Sequence, residues 1–179
     1  MTIPTIPTDR LILRPLAPED AEAVRLLGGD PRVAQWTASF TSPFSRQQSE
    51  DWISRAIRAM QAGEAVTLAI TLRSSAALIG VVSLRLPENA TPHLGYWLGA
   101  ENWGKGYCTE AVRAMIHYGF RQLGLRRISA RCDDDNAASK HVMLRCGMRK
   151  EQRPPMIEEI KGRRITLVDY GINRDDEWR

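Results

Sequence analysis

The segment Trp103-Gly104-Lys105-Gly106-Tyr107-Cys108-Thr109-Glu110 constrains this chain most, because it places two glycines where an extended run ends and an amphipathic run begins. Before it, Leu94-Gly95-Tyr96-Trp97-Leu98 is aromatic and aliphatic, the composition of a strand. After it, Ala111, Val112, Met115, Ile116, Gly119, Phe120 and Leu123 recur at the spacing of one helical face. Gly104 and Gly106 allow positive φ and a close backbone approach, and the first-turn N–H groups and dipole of the helix point at the same place. The junction is suited to an anion such as a phosphate. Two common phosphate loops are excluded. A dinucleotide loop needs glycine where Thr109 stands, and no Gly-Lys-Ser/Thr closes the segment as a Walker A loop requires.

With 179 residues the chain is about one domain long and can bury a substantial core. Its net charge of +4 is scattered, with small basic groups at Arg126-Arg127 and from Lys161 to Arg164. Nucleic-acid binding asks for a clustered basic face, so none is expected, and an anionic cofactor accounts for the modest basicity. Cys108, Cys132 and Cys146 lack C-x-x-C spacing, and His93, His117 and His141 lack ligand spacing, so neither a disulfide framework nor a metal site is expected. The start of the chain lacks a signal-peptide pattern and no apolar run approaches membrane-spanning length, which predicts a soluble cytoplasmic protein with no membrane partner and a flexible stretch over residues 1–7.

Along the chain, Arg10 to Leu16 reads as a first strand, Glu19 to Leu27 as a short helix, and Gln47 to Met60 as a helix with Trp52, Ile53, Ala56, Ile57 and Met60 on one face. Between these helices, Trp36 to Phe44 reads as irregular. Ala65 to Leu72 and Ala77 to Leu86 are strands about the polar turn Arg73-Ser74-Ser75. Beyond the glycine loop and its helix, Arg127 to Cys132 alternates as a strand, Asn136 is an N-cap candidate for a helix ending at Gly147, and Met156 to Ile160 with Ile165 to Ile172 form a closing hairpin. The fold class is α/β, mixed and of the α+β type, with one central sheet.

In order and spacing these pieces resemble the GNAT superfamily of acyl-CoA-dependent N-acetyltransferases, specifically its RimJ/RimL-like branch of ribosomal-protein N-terminal acetyltransferases. Thr8-Asp9-Arg10-Leu11-Ile12-Leu13-Arg14 looks like the opening strand, Leu94 to Leu98 with Trp103 to Ala111 like the cofactor strand and loop, and Asn136-Ala137-Ala138-Ser139 like the N-x-x-S helix start. The likeness covers almost the whole length. It implies a single domain over residues 1–179, with a central, mostly antiparallel twisted sheet, a splayed parallel strand pair and helices on both faces. It also implies acetyl-CoA as cosubstrate. The pantetheine arm would lie in the splay against the backbone of Trp97 and Leu98, and the pyrophosphate on N–H groups of Trp103, Gly104, Lys105, Gly106, Tyr107, Cys108 and Thr109. Lys105 would add charge.

Asn136 either only caps its helix or also contacts the cofactor arm. Many GNAT enzymes place a proton-donating Tyr seven residues beyond this Asn. That position is Met143 here, so Ser139 is the candidate acid. The base candidates are Glu158, with Glu159 competing from the same strand, and His93, whose unperturbed pKa of about 6.5 suits the task. The chain departs from the branch at Cys108, usually Ala, and Met148, often Phe. Cys108 is read either as a small packed residue or as a thiol activated by the helix N-terminus.

The expected reaction moves an acetyl group from acetyl-CoA to a primary amine, a peptide N-terminus or a small molecule, by direct attack in a ternary complex. A homodimer is compatible with this reading. The acceptor would bind among residues from Leu27 to Met60, a variable region that leaves its identity open. Two rival readings are a non-catalytic acyl-CoA-binding module and a nucleotide-binding regulatory domain. The second would need a base-recognition motif that the chain does not show.

Overall fold

Near-continuous runs of apolar and small residues let Ala65–Leu72 (β3) and Leu78–Arg85 (β4) bury both faces, and around this pair one sheet is built. The structure is a computed structural model and describes residues 3–176. The remaining strands are Ile6–Pro7 (β1), Leu11–Pro15 (β2), His93–Leu98 (β5), Arg127–Asp133 (β6), Arg149–Lys150 (β7), Met156–Ile160 (β8) and Arg163–Asn173 (β9). The helices are Ala21–Gly28 (α1), Pro31–Ala34 (α2), Arg46–Gln61 (α3), Tyr107–Arg121 (α4) and Ala137–Arg145 (α5). Spatial order is β1-β2-β3-β4-β5-β6-β9-β7, with β8 also paired to β9.

Every pairing is antiparallel except β5 with β6. That parallel contact is confined to His93↔Ser129 and Leu94↔Ala130. Past Leu94 the strands part, while β5 stays in register with β4 as far as Gly80↔Leu98. The expected splay is thus a wedge whose vertex is at His93 and whose mouth is at the glycine loop.

Helices cover both faces. On one, the apolar stripe of α4 (Ala111, Val112, Met115, Ile116, Phe120) packs on Leu84, Leu94, Leu98, Ile128 and Val168 in the main core. On the other, α1 and α3 place Val24 and Ile53 beside Phe40, Phe44, Trp52 and Trp97. Ser45 starts α3 with a capping box: its hydroxyl accepts from the Gln48 N–H (3.1 Å) and the Gln48 side chain accepts from the Ser45 N–H (2.8 Å). At Gly80 the sheet is irregular. Ile70 pairs with Gly80 but Thr71 with Leu78, so Ile79 is an extra residue, and a Cβ at Gly80 would overlap the Trp97 carbonyl.

Three short elements lie outside the expectations. The two-residue strands β1 and β7 and the four-residue α2 are too short to carry periodicity. Ile6 and Pro7 pair with Leu13 and Ile12, where a flexible stretch was expected over residues 1–7; Met1 and Thr2 of that stretch lie outside the described residues. Among the described residues, no helix is long and apolar enough to cross a membrane.

Candidate active site

After β5 the chain makes a single 3-10 turn, Ala100–Asn102, and enters the glycine loop. Gly104 (φ 73°) and Gly106 (φ 80°) both adopt the left-handed backbone anticipated for them, and α4 starts directly after Gly106. Among the described residues, no group accepts from the backbone N–H of Gly104, Lys105, Gly106, Tyr107, Cys108 or Thr109. Such a run of open donors beside a helix N-terminus is an anion cradle. Trp103 closes the loop from behind, its indole N–H donating to the Leu98 carbonyl at 2.8 Å. The Lys105 ammonium donates to the Glu101 carbonyl at 2.8 Å, so its charge is held beside the loop.

Across the wedge from the edge of β5 lies α5. Asn136 caps it, accepting from the Ser139 N–H at 3.0 Å, as the sequence suggests. Ser139 meets a residue that the sequence reading did not single out: the Tyr96 hydroxyl donates to the Ser139 carbonyl (3.0 Å) and lies 2.9 Å from its Oγ. A tyrosine has one proton to give, so with that proton on the carbonyl the Ser139 hydroxyl donates to Tyr96. Burial raises the Tyr96 hydroxyl above its ordinary pKa, against the opposing Ser139 hydrogen bond. Cys132 adjoins the pair; burial pushes its thiol up to about 11, with the Ser139 hydroxyl pulling the other way. Alternation along β5 puts Tyr96 on the core face with Leu94 and Leu98, and a hydroxyl on such a face has to find a partner. That was the available signal.

His93 and Trp97 point to the opposite face, toward α1 and α3. The Ser129 hydroxyl gives its proton to the Pro92 carbonyl (3.0 Å), so at 3.3 Å it accepts from His93 Nδ1–H and leaves the lone pair on Nε2. Burial, followed by Arg85 and Arg131, pushes the His93 pKa down to about 4, away from the near-neutral value that the sequence alone suggests. The register separates the two glutamates of β8: Glu158 is half-buried opposite Ile165 on the His93 face, whereas Glu159 is exposed. On that face Arg131 is ion-paired with Asp169 at 2.6 Å and also feels the Glu158 carboxylate.

Trp97 forms an aromatic floor with Phe40 (5.1 Å, edge-on), which also contacts Trp52 (5.4 Å) and Phe44 (5.0 Å). Above it, Lys161 in the β8–β9 turn donates to the carbonyls of Ala34 (2.8 Å) and Phe40, tying the hairpin to the segment between α2 and α3. Cys108 packs against the main core, and burial pushes its thiol up to about 12. Of the two readings of this cysteine, the structure favours the small packed residue.

Residues 10–149 match the acetyltransferase (GNAT) domain. The chain belongs to the GNAT acetyltransferase family. A relative, the uncharacterized N-acetyltransferase p20 of Bacillus licheniformis, is 31% identical over 171 residues, 94% of this chain and 95% of its own. The ribosomal-protein-serine acetyltransferase of Escherichia coli strain K12 is 40% identical over 72 residues, 39% of this chain and 40% of its own. Among solved structures, the microcin C7 self immunity acetyltransferase MccE in complex with acetyl-CoA and AMP has a TM-score of 0.77 at 26% identity, covering 93% of each chain. This GNAT domain is accordingly an acyl-CoA-dependent acetyltransferase, with a ribosomal-protein acetyltransferase among its relatives.

Proposed function

We propose that the protein, acting as one domain over residues 1–179, transfers the acetyl group of acetyl-CoA to a primary amine by direct attack within a ternary complex. The observation that carries this reading is the wedge: β5 meets β6 at two residue pairs only and opens toward the donor-rich glycine loop. A pantetheine arm bears amides spaced along an extended chain and would satisfy the unpaired edge of β5 at Trp97 and Leu98. Its pyrophosphate would lie on the N–H groups from Trp103 to Thr109, with Asn136 near the arm on the far wall. The aromatic floor and the tied hairpin leave the amine to approach from the α1 and α3 face, where Glu158 and His93 stand.

During transfer the amine nitrogen bonds to the acetyl carbon and the carbon–sulfur bond breaks. The amine proton passes to Glu158 through a water, or to Nε2 of His93. The sulfur receives the Ser139 proton as that hydroxyl turns from Tyr96 to the sulfur, the Tyr96 hydroxyl turning its own proton from the Ser139 carbonyl to Oγ and solvent restoring the proton lost. No step calls on a metal. The relative that acts on a ribosomal-protein serine supports a protein N-terminus as acceptor, with a small-molecule amine as the other class. This reading carries a cytoplasmic enzyme with it and is compatible with a homodimer.

Thermal unfolding with acetyl-CoA, CoA, ATP and NAD, followed by CoA-thiol release with a panel of amines and N-terminal peptides, tests this function. Acetyl-CoA at 100 times Kd should stabilise the fold by about 2.7 kcal/mol. Gly106→Glu should abolish the effect by putting a carboxylate in the cradle and a side chain at positive φ. An unchanged Tm at saturating acetyl-CoA refutes the reading. Stabilisation without thiol release from any amine would favour a binding module instead.

A further inference from the structure

The glycine loop is held from outside by the N-terminal turn between β1 and β2. Glu110, in the first turn of α4, accepts three hydrogen bonds from that turn: from Thr8 Oγ1 (2.7 Å), from the Arg10 backbone N–H (2.7 Å) and from Arg10 Nε (2.8 Å). Burial would raise the Glu110 carboxyl, yet the bonds from Thr8 and Arg10 outweigh it and hold the group below the ordinary carboxylate range. So anchored, the Arg10 guanidinium lies 4.5 Å from the centroid of the Tyr107 ring and donates through Nη1 to the Lys105 carbonyl at 2.8 Å.

The last bond fixes a peptide plane. In a trans peptide the C=O and the following N–H point in opposite directions, so a Lys105 carbonyl turned to Arg10 turns the Gly106 N–H away from it, toward the open donors of the cradle. Both neighbours of Lys105 are glycines at positive φ, a setting in which a peptide unit rotates with little steric resistance. Thr8 bonds to Glu110, Glu110 and Tyr107 hold the guanidinium, and the guanidinium holds the plane.

We infer that Arg10 is a positioning residue for cofactor binding: clamped by Glu110 and Tyr107, it orients the Lys105–Gly106 peptide so that the Gly106 N–H faces the pyrophosphate. The inference rests on the proposed reading of the loop as the pyrophosphate site. It assigns to Arg10 a geometric task rather than the supply of positive charge, which a side chain already paired with Glu110 provides poorly.

The test compares acetyl-CoA with S-acetylpantetheine, which carries the thioester and the amide arm but neither pyrophosphate nor nucleotide. Dissociation constants and steady-state kinetics are measured for the wild type, Arg10→Ala, Arg10→Lys and Glu110→Gln, with Arg174→Ala as an exposed ion-pair control. Arg10→Ala should weaken acetyl-CoA binding by about 10- to 100-fold, raise KM in proportion and leave kcat at saturation unchanged. Its affinity for S-acetylpantetheine should equal that of the wild type. Arg10→Lys keeps the charge but cannot span Glu110 and the Lys105 carbonyl with a planar fork, so it should retain most of the defect. Glu110→Gln should show a smaller loss of the same kind.

Full rescue by lysine would assign the effect to charge and overturn the inference. So would unaltered acetyl-CoA affinity in Arg10→Ala, or equal loss for both ligands. A wild type that binds acetyl-CoA no more tightly than S-acetylpantetheine would overturn the pyrophosphate reading itself, and the inference with it.

Discussion

Gly80 is remote from the glycine loop in sequence, yet it limits how the cofactor strand can lie. A Cβ built there sits 2.9 Å from Leu98 Cδ1 and 3.0 Å from Leu98 Cα, and it overlaps the Trp97 carbonyl. Relieving these contacts to ordinary carbon separations requires β5 to move by about 0.5–1 Å, because backbone atoms cannot rotate aside as a side-chain tip can. Overpacking of this kind costs about 1–3 kcal/mol. In a chain of this size each kcal/mol lowers Tm by about 2–4 °C, so Gly80→Ala should melt about 2–12 °C below the wild type. The displaced strand carries the edge proposed to hold the pantetheine arm, and a misplacement near 1 Å at a reacting centre costs up to ~100-fold in rate. Gly63→Ala is the control: φ there is +75° and nothing lies within 4 Å of the added carbon, so only local backbone strain follows. Scanning fluorimetry and acetyl-CoA-dependent kinetics on both variants decide the matter. If Gly80→Ala keeps the kcat/KM of Gly63→Ala, β5 is not set by its contact with β4, and the reasoning fails.

Ser139→Ala should lower kcat by about 10- to 1,000-fold with acetyl-CoA affinity little changed, and Tyr96→Phe, which removes only the orienting partner, should lower it less; turnover under chemistry-limited conditions checks both. If His93 is the base, the acid limb of the rate profile falls near pH 4 and vanishes in His93→Gln, whereas Glu158→Gln leaves it in place; the converse pattern identifies Glu158. The depressed Glu110 carboxyl contributes stability that is present above the unfolded value of about 4.3 and is lost as pH falls through the lower folded value, so Glu110→Gln should flatten acid unfolding over that window in a pH series of melting curves.

What the sequence showed and what it hid divide along physical lines. Ala65–Leu72, α4 and the Asn136 cap announce themselves because periodicity and capping are local, with each signal contained within a few turns or one strand. The Arg10–Glu110 clamp joins residues 100 apart, and the Tyr96–Ser139 contact residues 43 apart, so no window along the chain contains either pair. Glu158 and Glu159 are equivalent by composition, and only the register of β8 against β9 separates them. The low pKa of His93 likewise arises from burial and from Arg85 and Arg131, which the fold and not the adjacent sequence brings to it.

An unpaired strand edge is ordinarily an invitation to another copy of the same protein, since its free N–H and C=O groups can template a foreign strand. Here the open edge of β5 does not lie on the outside of the sheet. It is an inner wall, with β6 and α5 opposite, and the gap narrows to closure at His93 and Leu94. A polypeptide strand needs room for side chains on both of its faces and a partner spacing of about 4.7–4.9 Å on each side, which a tapering slot offers at one depth at most. A thin arm whose only side groups are two methyls and a hydroxyl demands far less. The taper that would admit a pantetheine therefore also acts as a filter against strand exchange, and widening it should increase self-association as well as loosen the grip on the cofactor.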